Sequence, residues 1–306
     1  MTLVAVAAPP LGCETAGMNR QSNLLAAFWM ACSLACMLLM TIAGRETTRE
    51  LDVFQVMEMR SVIGLFMLYP LIRLAGGFRA MRTRRPWQHV GRNIAHYAGQ
   101  FGWLLALTMI PLAQLIAIEF TAPIWTALLA VSFLGERMNI WKTTAIVLGL
   151  VGVMIIVRPG VDAFDPGQLI VLAAAFAFAI SFAMVKSLTR TETVVAIIFW
   201  MLVIQSIIGL VPAIYVWRQP SAEVWPWILV IAFAGSFAHY CMARAMVHAD
   251  ATVVMPMDFL RVPATAAVGW LLYSEQIDAL TALGAALILT GNLLNLAGRT
   301  TRPQPA

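Results

Sequence analysis

The sequence carries little charge for its length, and this shortage excludes a class of protein. Only 11% of its 306 residues are charged, whereas 61% are hydrophobic. A water-soluble chain of this size would be covered with apolar patches, which soluble monomers rarely expose. We therefore expect lipid to be the solvent for most of its surface.

The sequence also lacks the patterns that carry catalysis and metal binding. It has four cysteines, of which Cys32 and Cys36 lie one helical turn apart while the other two are remote in the sequence. It contains no HExxH metal motif, no GxSxG nucleophile motif and no phosphate loop. We therefore expect no metal, no cofactor and no enzymatic activity. The alternative left open is an intramembrane enzyme that acts on a lipid-soluble substrate.

What the chain does have is ten apolar stretches, each about one bilayer crossing in length. They are residues 23–43, 53–74, 93–110, 112–134, 140–157, 167–186, 194–217, 225–247, 252–273 and 279–297. In lipid the backbone polar groups must be satisfied within the segment, and runs rich in Leu, Ala, Ile and Met do this as helices. The sequence therefore predicts an all-α membrane protein with ten transmembrane helices.

The basic residues predict the orientation of these helices. With the N-terminus in the cytoplasm, 13 of the 20 Lys and Arg residues fall on the cytoplasmic side, 4 fall on the opposite side and 3 lie within stretches. Positive residues favour the cytoplasmic side of bacterial and other membranes. We therefore expect both termini in the cytoplasm, and topology rather than nucleic acid explains the net charge of +5.

The two halves of the chain resemble each other at an offset of 139 residues. The matched pairs are Glu119 with Asp258, Phe120 with Phe259, Thr126 with Thr265, Glu136 with Glu275, Leu148 with Leu287, and Gly152 with Gly291. Five stretches per half is an odd number, so the second half must cross the membrane in the opposite sense. We predict a tail at 1–22, a first five-helix repeat at 23–157, a linker at 158–166, a second repeat at 167–297 and a tail at 298–306.

Residues 123–152, with Phe-Leu-Gly-Glu-Arg at 133–137, resemble the repeated module of the ten-span EamA branch of the drug/metabolite transporter superfamily. Residues 256–291, with Tyr-Ser-Glu at 273–275, resemble its second copy, although Pro263 is one residue out of register with Pro123 and Ala145 stands where the second copy has Gly284. The resemblance implies a multi-pass protein of the bacterial inner membrane.

The same resemblance implies secondary active transport of a small organic metabolite by alternating access. Amino acids, nucleoside-like compounds, vitamins and drugs are the substrate classes that it implies. The expected partners are this small molecule and the lipid bilayer, and a homodimer is left open. No nucleotide site is visible in the chain, so we expect coupling to protons or simple exchange.

Ionisable residues within apolar stretches are the candidates for this transport, because burying each one costs about 2.5 to 3.5 kcal/mol on insertion scales. Glu119 lies in the fourth stretch, and Pro123 and Thr126 follow it on one helical face. Pro123 removes a backbone donor and should break the helix near Glu119. The alternative is a kinked helix in which a neighbour pairs with Glu119.

In the ninth stretch, Asp258 and Arg261 have the spacing of a local ion pair, and Pro256 and Pro263 flank them as helix breaks. We expect Arg261 to hold the carboxylate of a zwitterion, and Glu119 and Asp258 to exchange protons. A purely structural ion pair is the competing interpretation.

Polar and aromatic residues of the third stretch are expected to form the cavity wall together with Arg60 of the second. The wall residues are His96, Tyr97, Gln100 and Trp103. Such a stripe suits a planar ligand, and it is also compatible with plain helix packing. Glu58, two residues from Arg60, is expected to reach water.

Overall fold

The computed structural model describes residues 23–133, 140–157, 165–188, 191–248, 254 and 257–300. The predicted tail at 1–22, most of the linker and of the C-terminal tail, and Pro256 lie outside the described residues. Within them, regular structure is helical and no strand occurs, as predicted for an all-α protein.

The helices follow the apolar stretches closely. They are α1 (Asn23–Thr48), α2 (Val53–Leu74), α3 (Pro86–Leu107), α4 (Leu112–Glu119), α5 (Ala122–Phe133), α6 (Ile140–Val157), α7 (Pro166–Leu188), α8 (Val194–Tyr215), α9 (Trp225–His248), α10 (Arg261–Tyr273) and α11 (Ala279–Thr300). A short 3-10 helix, Phe78–Met81, lies between α2 and α3.

Five of the described helices are long and apolar enough to cross a membrane by themselves. They contain the segments Leu24–Thr48, Val53–Leu74, Pro166–Val185, Val194–Tyr215 and Trp225–Met242. Shorter apolar segments are Leu112–Thr126, Thr143–Val157 and Ala279–Leu294. The structure therefore shows a helical protein with several membrane-length helices, and the count of ten spans stays a prediction.

Local sequence explains where several helices begin and end. The side chain of Asp52 accepts a hydrogen bond from the Phe54 N–H at 2.9 Å, which caps the start of α2. Thr193 caps α8 in the same way through the Ala196 N–H at 3.2 Å. After α2 the chain turns at Gly77, whose φ of 75° favours glycine.

The fourth predicted stretch is not one helix but two, because a turn at Phe120 and Thr121 separates α4 from α5. Pro123 is the second residue of α5, a position where its missing N–H is tolerated. The ninth stretch is interrupted at the corresponding place, since Phe259 forms a turn just before α10 begins.

The short helix α4 lies at the centre of the bundle, and its side chains Leu112, Leu115, Ile116 and Ile118 are fully buried. It packs against α7, α10 and α11. The outer surface is apolar, with Phe66 and Ile207 among its exposed side chains. This arrangement, an inner core beneath an apolar exterior, is what lipid as solvent requires.

Candidate functional site

The two helix interruptions bring ionisable side chains together although they are far apart in sequence. Glu119 is the last residue of α4, and Arg261 is the first residue of α10. Arg261 Nη2 donates to Glu119 Oε1 at 2.8 Å, whereas Asp258 Oδ2 lies 3.9 Å from the same nitrogen. The spacing in the sequence favoured Asp258 as the partner of Arg261. The nearest carboxylate is instead that of Glu119, from the other half of the chain.

Trp103 completes the contacts of Glu119. Its indole Nε1–H donates to Glu119 Oε2 at 2.7 Å, so both carboxylate oxygens of Glu119 accept a hydrogen bond. The guanidinium of Arg261 also lies 4.8 Å from the centre of the Phe120 ring, within cation–π range. Arg261 is thus neutralised and stacked, and its charge is not free for a substrate in this conformation.

These residues line a cavity of about 460 Å³, a volume typical of small-molecule sites. Its lining includes every predicted site residue that the structure describes except Tyr97 and Pro263; those that line it are Arg60, His96, Gln100, Trp103, Glu119, Pro123, Asp258 and Arg261. Half of the remaining lining residues are phenylalanine or methionine. The cavity is therefore an apolar chamber with a few ionic groups.

Arg60 enters the cavity from α2 and is held by neutral groups. With the Gln100 amide oriented so that its oxygen faces Arg60, that oxygen accepts from Nη2 at 2.9 Å and from Nη1 at 3.1 Å. The Gln100 nitrogen then donates to Gln205 Oε1 at 2.9 Å. The amides orient the guanidinium without neutralising its charge.

The histidines of the cavity lie on facing helices. The ring of His96 on α3 lies 6.4 Å from that of His239 on α9 and 5.5 Å from that of Phe178 on α7. Neither ring nitrogen of His96 has a hydrogen-bond partner on another described residue, although the side chain is 97% buried. Such an unpaired polar group in a cavity wall can be satisfied by water or by a ligand.

Two expectations differ from the structure. Tyr97 is buried but does not line the cavity, because it turns toward α8, where a Cβ on Gly209 would lie 3.0 Å from its hydroxyl. Glu58 was expected to reach water, and this is wrong: it is 6% exposed, and its Oε2 has no described partner. The same Cβ on Gly209 would lie 2.7 Å from that oxygen.

Pro263 is exposed on the outer surface of α10, at its third residue, and does not reach the cavity. Sequence reasoning missed Asn292 of α11, whose Nδ2 donates to the Phe120 carbonyl at 2.8 Å and whose Oδ1 has no described partner. An asparagine within an apolar stretch was the available signal for it. It also missed the aromatic contribution of Phe178 and Phe182 on α7.

A second ionic cluster lies where α1 and α10 end and α4 begins. Arg45 donates to Glu275 Oε1, and the other oxygen of Glu275 accepts the Leu112 N–H at 2.8 Å, which caps α4. Tyr273 donates to Glu46 at 2.9 Å, and the Arg45 guanidinium lies 4.8 Å from the Tyr273 ring centre. The cluster therefore ties α1 and α4 to the end of α10.

A loop contact lies on the same side of the bundle. The hydroxyl of Ser221 and its backbone N–H both donate to Glu50 at 2.6 Å, and these hydrogen bonds hold the pKa of Glu50 below its usual value. They join the α1–α2 loop to the α8–α9 loop. Among the described residues no group of three metal-ligating side chains is found.

Comparison with known proteins gives the family of this chain. The chain is 26% identical over 266 residues to an S-adenosylmethionine uptake transporter of Rickettsia prowazekii, covering 87% of this chain and 90% of the relative. It is 34% identical over 231 residues to a riboflavin transporter of Rhizobium johnstonii, covering 75% and 76%. A solved crystal structure, 19% identical, superposes with a TM-score of 0.63 over 92% of this chain and 100% of the other, which shows a shared fold.

The model of the EamA-like transporter family matches the chain twice, at residues 24–158 and 165–297. The two matches together cover most of the sequence and contain the helices that form the cavity. The chain thus belongs to the EamA-like transporter family, and it is an integral membrane transporter of a small metabolite rather than an enzyme.

Proposed function

We propose that this protein is a secondary active transporter that works by alternating access between two inverted five-helix repeats, residues 23–157 and 167–297, joined by the linker 158–166. The observation that carries the proposal is the ion pair between Glu119 and Arg261, which joins the fourth stretch to the ninth beside the cavity. Transporters built from inverted repeats place their substrate at such a junction of broken helices.

Pairs of contacts related by the 139-residue offset support the inverted repeat. A Cβ on Gly152 would lie 2.6 Å from the Gly284 carbonyl oxygen, which shows how closely α6 and α11 approach. The offset converts this pair into Gly291 and Ala145, and a Cβ on Gly291 would indeed lie 2.9 Å from the Ala145 carbonyl oxygen. The rings of Phe120 and Phe259, which the offset exchanges, contact each other at 5.5 Å.

Helix packing has the same symmetry. When the first five stretches are exchanged with the last five, the contact of α1 with α9 becomes that of α7 with α3. Both of these extensive contacts exist. The contact of α2 with α8 and that of α6 with α11 each map onto themselves. A two-fold axis in the membrane plane accounts for this set.

Substrate transport is tested with purified protein in liposomes. The relatives named for S-adenosylmethionine uptake and for riboflavin suggest these two compounds as the first radiolabelled probes, followed by amino acids, nucleosides and cationic drugs. We expect saturable accumulation of at least one probe. Conversion of a probe to a product without accumulation would favour the intramembrane enzyme instead.

The cluster around Glu275 is proposed to close the cavity on the non-cytoplasmic side, given both termini in the cytoplasm of a bacterial inner-membrane protein. Arg45→Glu and Glu275→Arg each place two like charges together, which should open this end and lower the uptake rate several-fold. The double charge swap restores the ion pair but not the acceptor for the Leu112 N–H, so it should recover part of the rate. We measure initial uptake in liposomes of equal protein content.

Arg79→Glu is the matched control for the charge swap, because Arg79 is exposed on the 3-10 helix Phe78–Met81, outside the Glu275 cluster. It should leave the uptake rate nearly unchanged. A double swap that is no better than either single variant would contradict the proposed closure.

Proton coupling is proposed at the cluster of Glu119, Asp258 and Arg261, where two carboxylates share one cation. The other ionisable groups that line the cavity are Arg60, His96 and His239. The cluster carries one excess negative charge. When a substrate engages Arg60, a proton can neutralise this excess charge. Proton uptake would then follow substrate binding.

Glu119→Gln and Asp258→Asn are expected to abolish the stimulation of uptake by an imposed pH gradient. Exchange of labelled for unlabelled substrate, which needs no net proton movement, should persist in at least one of them. Glu223→Gln, at an exposed loop residue, is the control and should keep full stimulation. If both cavity variants keep the stimulation by the pH gradient, these carboxylates are excluded as the coupling site.

A further inference from the structure

The guanidinium of Arg60 is a buried cation without a described counter-charge. Arg60 is 8% exposed and lines the cavity, yet within the described residues no carboxylate lies within 4 Å of it. The two acids of the cavity, Glu119 and Asp258, are both placed around Arg261. Buried charges in proteins are normally paired, so Arg60 has the environment of a site that receives an anion.

The neutral neighbours of Arg60 leave it able to bind that anion. The Gln100 oxygen accepts one N–H from each Nη atom, and a guanidinium has five N–H donors in a planar fork. Gly235 of α9 lies beside the guanidinium, since a Cβ at this position would be 3.6 Å from Arg60 Nη2. Because Gly235 has no side chain, it leaves this side of the guanidinium uncovered. The remaining donors suit the two oxygens of a carboxylate.

The rest of the cavity is shaped for a flat ring. Trp103, Phe120, Phe178, Phe182 and Phe259 line it, and Phe178 and Phe182 stack with their planes 17° apart. Aromatic faces of this kind bind planar ligands by stacking or edge contacts. The unpaired nitrogens of His96 add a hydrogen-bonding point for a ring heteroatom.

We infer that the substrate is an aromatic carboxylate, with its carboxylate on Arg60 and its ring among the phenylalanines and Trp103. This inference deepens the proposed function, since it names the substrate class of the same cavity. Because Glu119 and Asp258 both lie around Arg261, Arg60 is the cation of the cavity that a single carboxylate of a ligand can neutralise. A phosphate dianion would bring more negative charge than Arg60 can neutralise.

The test compares three ligands that share an indole ring and differ in the charge of the side chain. Indole-3-propionate carries a carboxylate, indole-3-propanamide is its neutral counterpart, and tryptamine carries an ammonium group. Binding to the purified full-length protein in detergent is measured by calorimetry and thermal shift. We expect the carboxylate to bind with a Kd about tenfold or more below that of the amide, and tryptamine to bind no better than the amide.

Arg60→Gln should abolish the preference for the carboxylate over the amide, whereas Arg60→Lys, which keeps the charge, should retain part of it. Equal binding of acid and amide to the natural protein, or no binding of any of the three at millimolar concentration, would overturn the inference even without a variant. Preference for the carboxylate without uptake in liposomes would overturn transport alone. Uptake without that preference would overturn only the substrate class.

Discussion

Replacing Arg261 with Met is expected to lower the free energy of unfolding by about 3 to 5 kcal/mol, because it leaves two buried carboxylates without their shared cation. Arg261 Nη2 is 2.8 Å from Glu119 and 3.9 Å from Asp258, and all three side chains are largely buried. Removing one partner of such a group costs more than removing the whole group. Transport should be lost as well, because the link between the fourth and ninth stretches is gone.

The measurement is unfolding in mixed micelles, followed by the fluorescence of the tryptophans. The triple variant Arg261→Met with Glu119→Gln and Asp258→Asn should recover most of the lost stability without recovering transport. Arg49→Met, at a largely exposed pair with Glu46, should cost less than about 1 kcal/mol. A triple variant as unstable as the single one would show that the lost packing, rather than the unpaired carboxylates, dominates.

The second large effect is expected at the close approach of α6 and α11. A Cβ on Gly152 would lie 2.6 Å from the Gly284 carbonyl oxygen, and a Cβ on Gly284 would lie 2.6 Å from that of Gly152. Backbone atoms cannot move aside as a flexible side chain does, so Gly152→Ala or Gly284→Ala must push the helices apart. Overpacking of this kind costs about 1 to 3 kcal/mol, and the double variant should exceed either single one.

Gly91→Ala is the matched control, because its Cβ would meet only the terminal methyl of Met184, at 3.3 Å. Unfolding in mixed micelles should rank the variants with Gly152 and Gly284 least tolerant, Gly291 intermediate and Gly91 nearly neutral. Equal tolerance at Gly152 and Gly91 would mean that α6 and α11 are not packed as closely as described.

The apolar stretches and their isolated ionisable residues allow much of this structure to be predicted. Glu119, Asp258 and Arg261 stand out because charges are rare in such segments. The partner of Arg261 did not follow from the sequence, because Glu119 lies 142 residues away and local spacing favoured Asp258. Pairing across the halves depends on how α4 meets α10, which only the tertiary structure shows.

Helical periodicity was less informative about which side chains face the cavity. Tyr97 lies next to the stripe formed by His96 and Gln100, yet packing against α8 turns it away. Glu58 lies five residues from the start of α2, close enough to its end for a prediction of water contact, but neighbouring helices cover it. Depth along a helix does not determine burial when the helix lies inside a bundle.

The central claim, that one cavity between two halves opens to each side in turn, is tested by cysteine labelling. Thr126, which lines the cavity, is changed to Cys in a chain without native cysteines, and a membrane-impermeant maleimide is applied to right-side-out and to inside-out vesicles. Ile207→Cys, on the exposed apolar surface, is the control and should react from neither side. We predict that Thr126→Cys reacts from both sides, and reaction from one side only, with or without substrate, would contradict alternating access.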